Sequence, residues 1–521
     1  MKLSKRIADI LLFWFILLGL GGVCESAPLL TALERSGYTR ITSSSEVSGF
    51  LAELSSRYAS AERVTIATSA LGSPVDVLLI SSDMARFKEG GLNENKLTVM
   101  LVGSQHGTET SGAEALLLVA RDVLEAKLGS YLEDMNFIFI PNSNPDGRNL
   151  KRRVNGNGVN LSTNFVVLSE PESRGIINAM HRWRPEVVLD VHESAVLKKK
   201  SLARQGYLTD FEAQFDAANN PNVDRGIRDF SFNRLLPEIM SLVRSQGLPA
   251  QRYIGEITSI HQPITHGGLS LRNLRNMAGM LGAFSFLLEN RLDSSTGTYP
   301  TPRNIRARVS KQYLSITSFL ESCRTHRSEM ATLSRNARMK WKNPQDEAPL
   351  YLAFSYVADP SQPEITLPLR KIDTGELIKH IFSYRGSVEY HSPFILPIFY
   401  VITAQQEIVQ DILARHHITL ETMNHRSDLV VEIQHVLSRK DEEMDAEKGC
   451  PKYSVMESQE KYVLNPENLI VNLSQPARRL IPLLLELRSS SGLFKSKEFC
   501  HLVEPGRNYF IYRTRELPLI K

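Results

Sequence analysis

The sequence predicts an α/β fold: a mixed, mostly parallel central sheet flanked by helices, followed by a smaller C-terminal α/β or β-rich domain. Three observations carry this. Four short, nearly continuous apolar runs, at 96–102, 136–140, 185–191 and 282–288, have the pattern of strands buried on both faces. Longer helical patterns, 111–127 and 171–183, alternate with them, as parallel strands require. The chain of 521 residues, 42% hydrophobic and 23% charged, is long enough for two globular units.

Taken in order, residues 1–26 read as a signal peptide. Lys2, Lys5 and Arg6 precede an apolar core, and small residues follow, with cleavage placed near Ser26 and Ala27. The chain is therefore expected to be periplasmic or secreted, with membrane attachment only through an uncleaved signal segment. A helix is expected near 46–59, with strands near 64–68 and 75–80. The run 96–102 leads into Ser104-Gln105-His106-Gly107-Thr108-Glu109. The run 136–140 leads into the turn Pro141-Asn142-Ser143-Asn144-Pro145-Asp146-Gly147. The runs 185–191 and 282–288 end at His192 and Glu289. Residues 326–348 are polar and read as a linker. Beyond them, strands are expected at 350–357, 394–402 and 418–422, with a helix at 405–416 whose Ile408, Ile412 and Leu413 share one face.

In sheets of this kind ligands bind beyond the carboxyl ends of the strands. His106, Glu109, His192 and Glu289 all fall there. Two imidazoles and a carboxylate suit a zinc ion with one side open, and the remaining carboxylate suits a base beside it. No Cys-x-x-Cys pair supports a thiolate site; Cys323, Cys450 and Cys500 would remain after cleavage, and a Cys450–Cys500 disulfide is one option in an oxidising compartment. The formal charge of +4 gives no ground for a nucleic-acid partner. Oligomeric state is not readable from the chain.

The order His-x-x-Glu, Asn-Pro-Asp-Gly, Gly-Val-Asn-Leu-x-x-Asn-Phe, Asp-Val-His-Glu and Phe-Leu-Leu-Glu-Asn-Arg resembles the zinc metallocarboxypeptidases of the carboxypeptidase A type, in particular long bacterial secreted members. The resemblance covers roughly 30–320. It implies a catalytic domain over 27–325, an accessory domain over 349–521, and one zinc per chain held by His106, Glu109 and His192. By the same resemblance, zinc-activated water would attack an amide bond in a peptide, with Glu289 as general base and Arg153 polarising the carbonyl. Two departures stand out. Ser162-Thr163 replaces the family's Asn-Arg that binds a substrate carboxylate, and Asn160 replaces an Asp that supports a zinc-bound histidine. Arg272 and Arg275 are candidates to supply the lost cation. The departures keep two other functions in view: a peptidoglycan-peptide amidase (acting on muropeptides) or N-acyl amino acid deacylase, and a non-catalytic zinc-stabilised envelope binding protein.

Overall fold

A computed structural model describes residues 28–516 apart from 92–94, 199, 293–303, 344–348, 423–425 and 445–446. The expected signal segment lies outside the described residues, as does part of the expected linker. Among the described residues no helix is long and apolar enough to cross a membrane.

Nine strands precede residue 292: β1 (Ala61–Thr68), β2 (Pro74–Ile80), β3 (Leu97–Gly103), β4 (Met135–Ile140), β5 (Val187–Ser194), β6 (Tyr207–Thr209), β7 (Ala213–Ala217), β8 (Ala250–Arg252) and β9 (Phe284–Arg291). All but β6 form one sheet in the order β1-β2-β4-β3-β5-β9-β7-β8. Its centre, β4-β3-β5-β9, is parallel, and antiparallel pairs flank it. The α/β class is as the sequence predicts. Strand β3 is buried at every position because helices cover both faces, so its side chains need no polar alternation. One face packs Val99, Leu101, Leu189 and Val191 against α1 (Ser44–Arg57), α2 (Ser111–Leu124) and α5 (Ile305–Thr325). The other packs Met100, Val102 and Val188 against α3 (Pro171–Trp183) and α4 (Leu274–Met280). A capping box between Ser43 and Glu46 starts α1 two residues ahead of the expected position.

The strand order reverses beside β3: the chain leaves β3 for β4 on one side and reaches β5 on the other. Such a switch point opens a crevice at the carboxyl ends of the strands. A loop and a short helix fill its rim. Ser104, at φ 55°, turns the chain out of β3. The run expected as a turn becomes helical at Pro145–Leu150, with Asn144 as its cap and Pro145 in its first position. Gly107 lies so close to that helix that a Cβ would sit 2.0 Å from the Gly147 carbonyl carbon and 2.3 Å from the Arg148 nitrogen. Asn144 donates from Nδ2 to the Gln105 carbonyl at 2.9 Å, fastening the residue next to His106.

The C-terminal region is β-rich, as expected. Strands β10 (Leu350–Val357) and β13 (Ser387–Phe394) pair, and β11 (Glu364–Lys371) joins β12 (Leu377–Ser383) to β6. A six-stranded sheet follows: β14 (Phe399–Ile402), β15 (Glu421–Thr422), β16 (Ser427–Met444), β17 (Glu447–Leu464), β18 (Leu469–Asn472) and β19 (Ile511–Thr514). The expected strand 394–402 is broken at 395–398. Pro397 has no N–H for a ladder, so β13 stops before it and β14 starts after it. The expected strand 418–422 shrinks to β15, because the chain turns at His417, φ 56°, just before it. The stretch expected as a linker is helical from Arg327 to Lys342 (α6), burying Met330, Ser334, Ala337 and Trp341 at helical spacing. Small residues make that stripe, so no apolar period announces it. Tyr400, Ile412 and Leu484 belong to the same apolar cluster as Met100 and Val102. Cys500 is buried as a free thiol; the side chain of Cys450 lies outside the described residues, so the expected pairing does too.

Substituting Gly107→Ala forces two backbones apart, which we expect to cost at least about 1–3 kcal/mol in urea unfolding; an unchanged midpoint would contradict the close approach. A second outcome follows from the seam between α3 and α7 (Gln406–Arg415). Burial lowers the pKa of His416 to about 4, and its Nε2 donates to the Val166 carbonyl at 2.8 Å. Burial lowers His181 to about 4 as well. Both stay neutral in the fold where the unfolded chain, near 6.5, already binds protons. Stability is therefore fully present above about pH 6.5 and falls as pH drops toward 4. His416→Gln should shrink the drop in urea midpoint between pH 7 and 5.

Candidate functional site

The register of three neighbouring parallel strands assembles the site. In the β3–β5 pair Gly103 lies beside Val191, and in the β5–β9 pair His192 lies beside Glu289. His106 follows β3 by three residues, so His106, Glu109, His192 and Glu289 converge at one edge. Strands β5 and β9 run slightly past the expected ends, to Ser194 and Arg291.

His106 Nδ1 lies 2.8 Å from Glu109 Oε1, and His192 Nδ1 lies 3.0 Å from Glu109 Oε2 and 3.2 Å from His106 Nδ1. One ligand atom from each residue falls within 4.8 Å of the others. Donors roughly 2.0–2.2 Å from a central ion would have about this mutual spacing. All three residues are buried.

The other ring nitrogen of each histidine is engaged. His106 Nε2 donates to Asn160 Oδ1 at 3.0 Å and lies 3.0 Å from Ser162 Oγ; His192 Nε2 lies 2.9 Å from Asp190 Oδ1. Those partners fix both rings with Nδ1 turned toward Glu109. Two nitrogens, one carboxylate and oriented rings fit zinc.

Burial alone would raise the Glu109 carboxyl, but the His106 and His192 imidazoles hold it well below its ordinary range. Burial lowers the pKa of His106. Burial also opposes a charge on His192, yet Asp190 and Glu109 outweigh it and raise its pKa well above the usual value. A metal at this site would therefore have to displace a proton.

Glu289 borders the cluster. Its Oε2 is buried and, among the described residues, has no hydrogen-bond partner. Burial raises its pKa to about 7; the Glu109 charge adds to the rise, against His192 and Arg153. Such a carboxyl is poised to take up and release a proton near neutral pH. Arg153 donates to Glu109 Oε1 at 2.7 Å while its side chain remains 56% exposed. Its neighbour Arg148 differs: it is buried and paired with Glu114 at 2.6 Å.

Two adjoining cavities meet at Arg153 and Glu289. One, about 160 Å³, runs past Ser194, Leu208 and Gly255. The other, about 180 Å³, holds Ser162, Thr163, Asn273 and Arg275. Arg275 thus reaches the cleft, paired with Asp216 at 2.8 Å and with its Nε unpartnered among the described residues. Arg272 is buried but lines neither cavity.

The sequence reading assigned no role to several residues that stand here. Asp190 is two residues before His192 on a strand, hence on the same face, and that spacing was the available signal. Glu193 accepts from the backbone of Ser111, the first residue of α2, at 3.0 Å, and is gripped by Nε and Nη2 of Arg308 at 2.8 and 2.7 Å. Its own backbone N–H donates to Glu109 Oε2 at 3.1 Å. Tyr253 lies on both cavities and comes from a loop with no sequence signal.

The zinc carboxypeptidase family (Peptidase_M14) matches residues 47–198. Carboxypeptidase 2 of Trichophyton tonsurans is 30% identical over 210 residues, which cover 38% of this chain and 38% of that protein. A probable carboxypeptidase 2 of Arthroderma benhamiae is 29% identical over 206 residues, with the same coverage of both chains. The chain thus matches well under half the length of these curated relatives. Among solved structures, carboxypeptidase A of Helicoverpa armigera aligns with 55% of this chain and 75% of its own, at 17% identity and a TM-score of 0.42. Over residues 47–198 the resemblance to zinc carboxypeptidases read from the motifs is borne out.

Proposed function

We propose that the chain is a zinc-dependent hydrolase of the metallocarboxypeptidase type that cleaves an amide bond in peptides, with the hydrolytic part within 27–325 and an accessory part in 349–521. The observation that carries this is the pairing of a His106–Glu109–His192 cluster with the buried Glu289 beside it, whose Oε2 has no partner among the described residues. A binding protein stabilised by metal has no use for a buried carboxyl near pKa 7.

His106, Glu109 and His192 would hold one zinc ion. Bound there, it would supply a Lewis acid for the scissile carbonyl and acidify water. Asn160, Ser162 and Asp190 keep the two imidazoles oriented. Glu289 takes the proton of the attacking water at its Oε2 and returns it to the leaving amine. Arg153, at the junction of the cavities, donates to the carbonyl oxygen as negative charge develops.

On the Ser162–Thr163 side, Arg275 is the cation of the cavity wall. Asp216 pairs with it and also with Arg252 at 3.0 Å, so Arg275 shares its carboxylate with a second guanidinium and keeps its Nε unpartnered among the described residues. This supports a substrate that brings a carboxylate to that cavity, and favours the carboxypeptidase reading over an amidase indifferent to chain ends. Periplasmic or secreted placement, from the signal-like N-terminus, goes with the same reading.

Glu289→Gln should lower kcat by about 10²–10⁴-fold while zinc content is kept; an unchanged kcat would remove the base assignment. Peptides with free C-termini should be cleaved faster than their amidated forms, and Arg275→Gln should narrow that difference. Equal rates on both in the parent enzyme would exclude a terminal-carboxylate contact.

A further inference from the structure

One wall of the cleft is the segment 253–268. Tyr253 lines both cavities, Gly255 and Ile257 line the first, and Gly268 lines the second. The segment contains no helix or strand beyond one isolated bridge, Ile264 to Tyr384. The catalytic sheet holds its start, where the Tyr253 N–H donates to the Phe215 carbonyl at 2.8 Å, and the C-terminal strands hold its far part.

Ile264 donates its N–H to the Ser383 carbonyl at 2.8 Å, and its carbonyl accepts from Arg385 at 2.9 Å. His266 bridges the two parts. Its Nδ1 donates to the Tyr253 carbonyl at 2.8 Å, and its Nε2 accepts from the Tyr384 hydroxyl at 2.6 Å. Burial lowers the His266 pKa to about 4, so the ring is neutral and can both donate and accept. The hydroxyl of Tyr356, on β10, donates to the His266 carbonyl. Asn219 donates to that same hydroxyl at 2.8 Å and accepts from Arg275 at 3.2 Å. The apolar side is continuous too: Ile254, Ile257 and Ile264 pack with Leu367, Leu369 and Phe382 of β11 and β12. A further part of the first cavity's lining is joined in the same way, since Leu208 and Thr209 line it from β6, and β6 pairs with β11.

We infer that strands β10–β13 are a working part of the substrate cleft, with Tyr384 and His266 as positioning residues that hold Tyr253 and the 253–268 wall against the substrate. This deepens, and rests on, the hydrolase reading. The C-terminal strands are not a separate module tethered behind the site, because their hydroxyls lie one residue removed from the cleft surface. Gly386 fits this role: a Cβ there would fall 2.2–2.4 Å from the Tyr384 ring and push the hydroxyl off His266.

The test compares the zinc-loaded parent chain with Tyr384→Phe and Gly386→Ala by two readouts. Backbone hydrogen exchange should quicken across 253–268 and stay unchanged at 97–109 and 187–194. KM for a peptide substrate should rise about two- to tenfold, the loss expected of one hydrogen bond, with kcat and zinc content nearly unchanged. Unchanged exchange at 253–268 in both variants would overturn the anchoring. Quickened exchange with an unchanged KM would overturn the claim that the wall meets substrate. A parent inactive on every peptide would sink the hydrolase reading and with it the claim on substrate, while the exchange pattern would still decide the anchoring.

Discussion

A carboxylate gripped between two imidazoles, at the point where three parallel strands end side by side, is what the rest of this molecule is arranged around. Glu109 has no strand of its own. It hangs from the loop after β3, and its place is set by His106, His192 and the backbone N–H of Glu193. Each of these depends on register. A one-residue slip between β3 and β5 would turn His192 to the opposite face and strip the buried Glu109 carboxylate of its partners from β5. The β5–β9 pairing then adds Glu289 beside His192.

Around that centre the polar groups form concentric support. Asp190 orients His192, Asn160 and Ser162 orient His106, and Arg308 holds Glu193, which in turn faces Glu109. Asn160 puts an uncharged amide behind one imidazole, while Asp190 places a carboxylate behind the other. The two histidines are consequently unequal: burial lowers one, and neighbouring carboxylates raise the other. Ser162 supports His106 through its hydroxyl, 3.0 Å from Nε2.

The strands and the four central residues were legible because burial on both faces leaves continuous apolar runs; His192 and Glu289 stand at the ends of two of them, and His106 and Glu109 follow a third within six residues. The Asn144-Pro145-Asp146-Gly147 motif was legible but read as a turn; Asn144 instead caps a short helix, Pro145–Leu150, whose backbone approaches Gly107. Asp190 was visible and unassigned, although its spacing from His192 put it on the same face. Helix α6 was missed because Ser334 and Ala337 bury little apolar surface, and β13 and β14 were run together because Pro397 sits inside an apolar stretch. Tyr253, His266 and Tyr384 carry no local signal at all. Their meeting depends on β11 completing a sheet with β6, a contact between segments about 160 residues apart.

The account stands on one coordination sphere. X-ray absorption at the zinc edge of the purified chain, loaded with one equivalent of zinc, should show only nitrogen and oxygen neighbours at about 2.0–2.2 Å, two of them with the outer-shell scattering of imidazole. Sulfur at about 2.3 Å, or the same spectrum after His106 and His192 are both replaced by alanine, would contradict it.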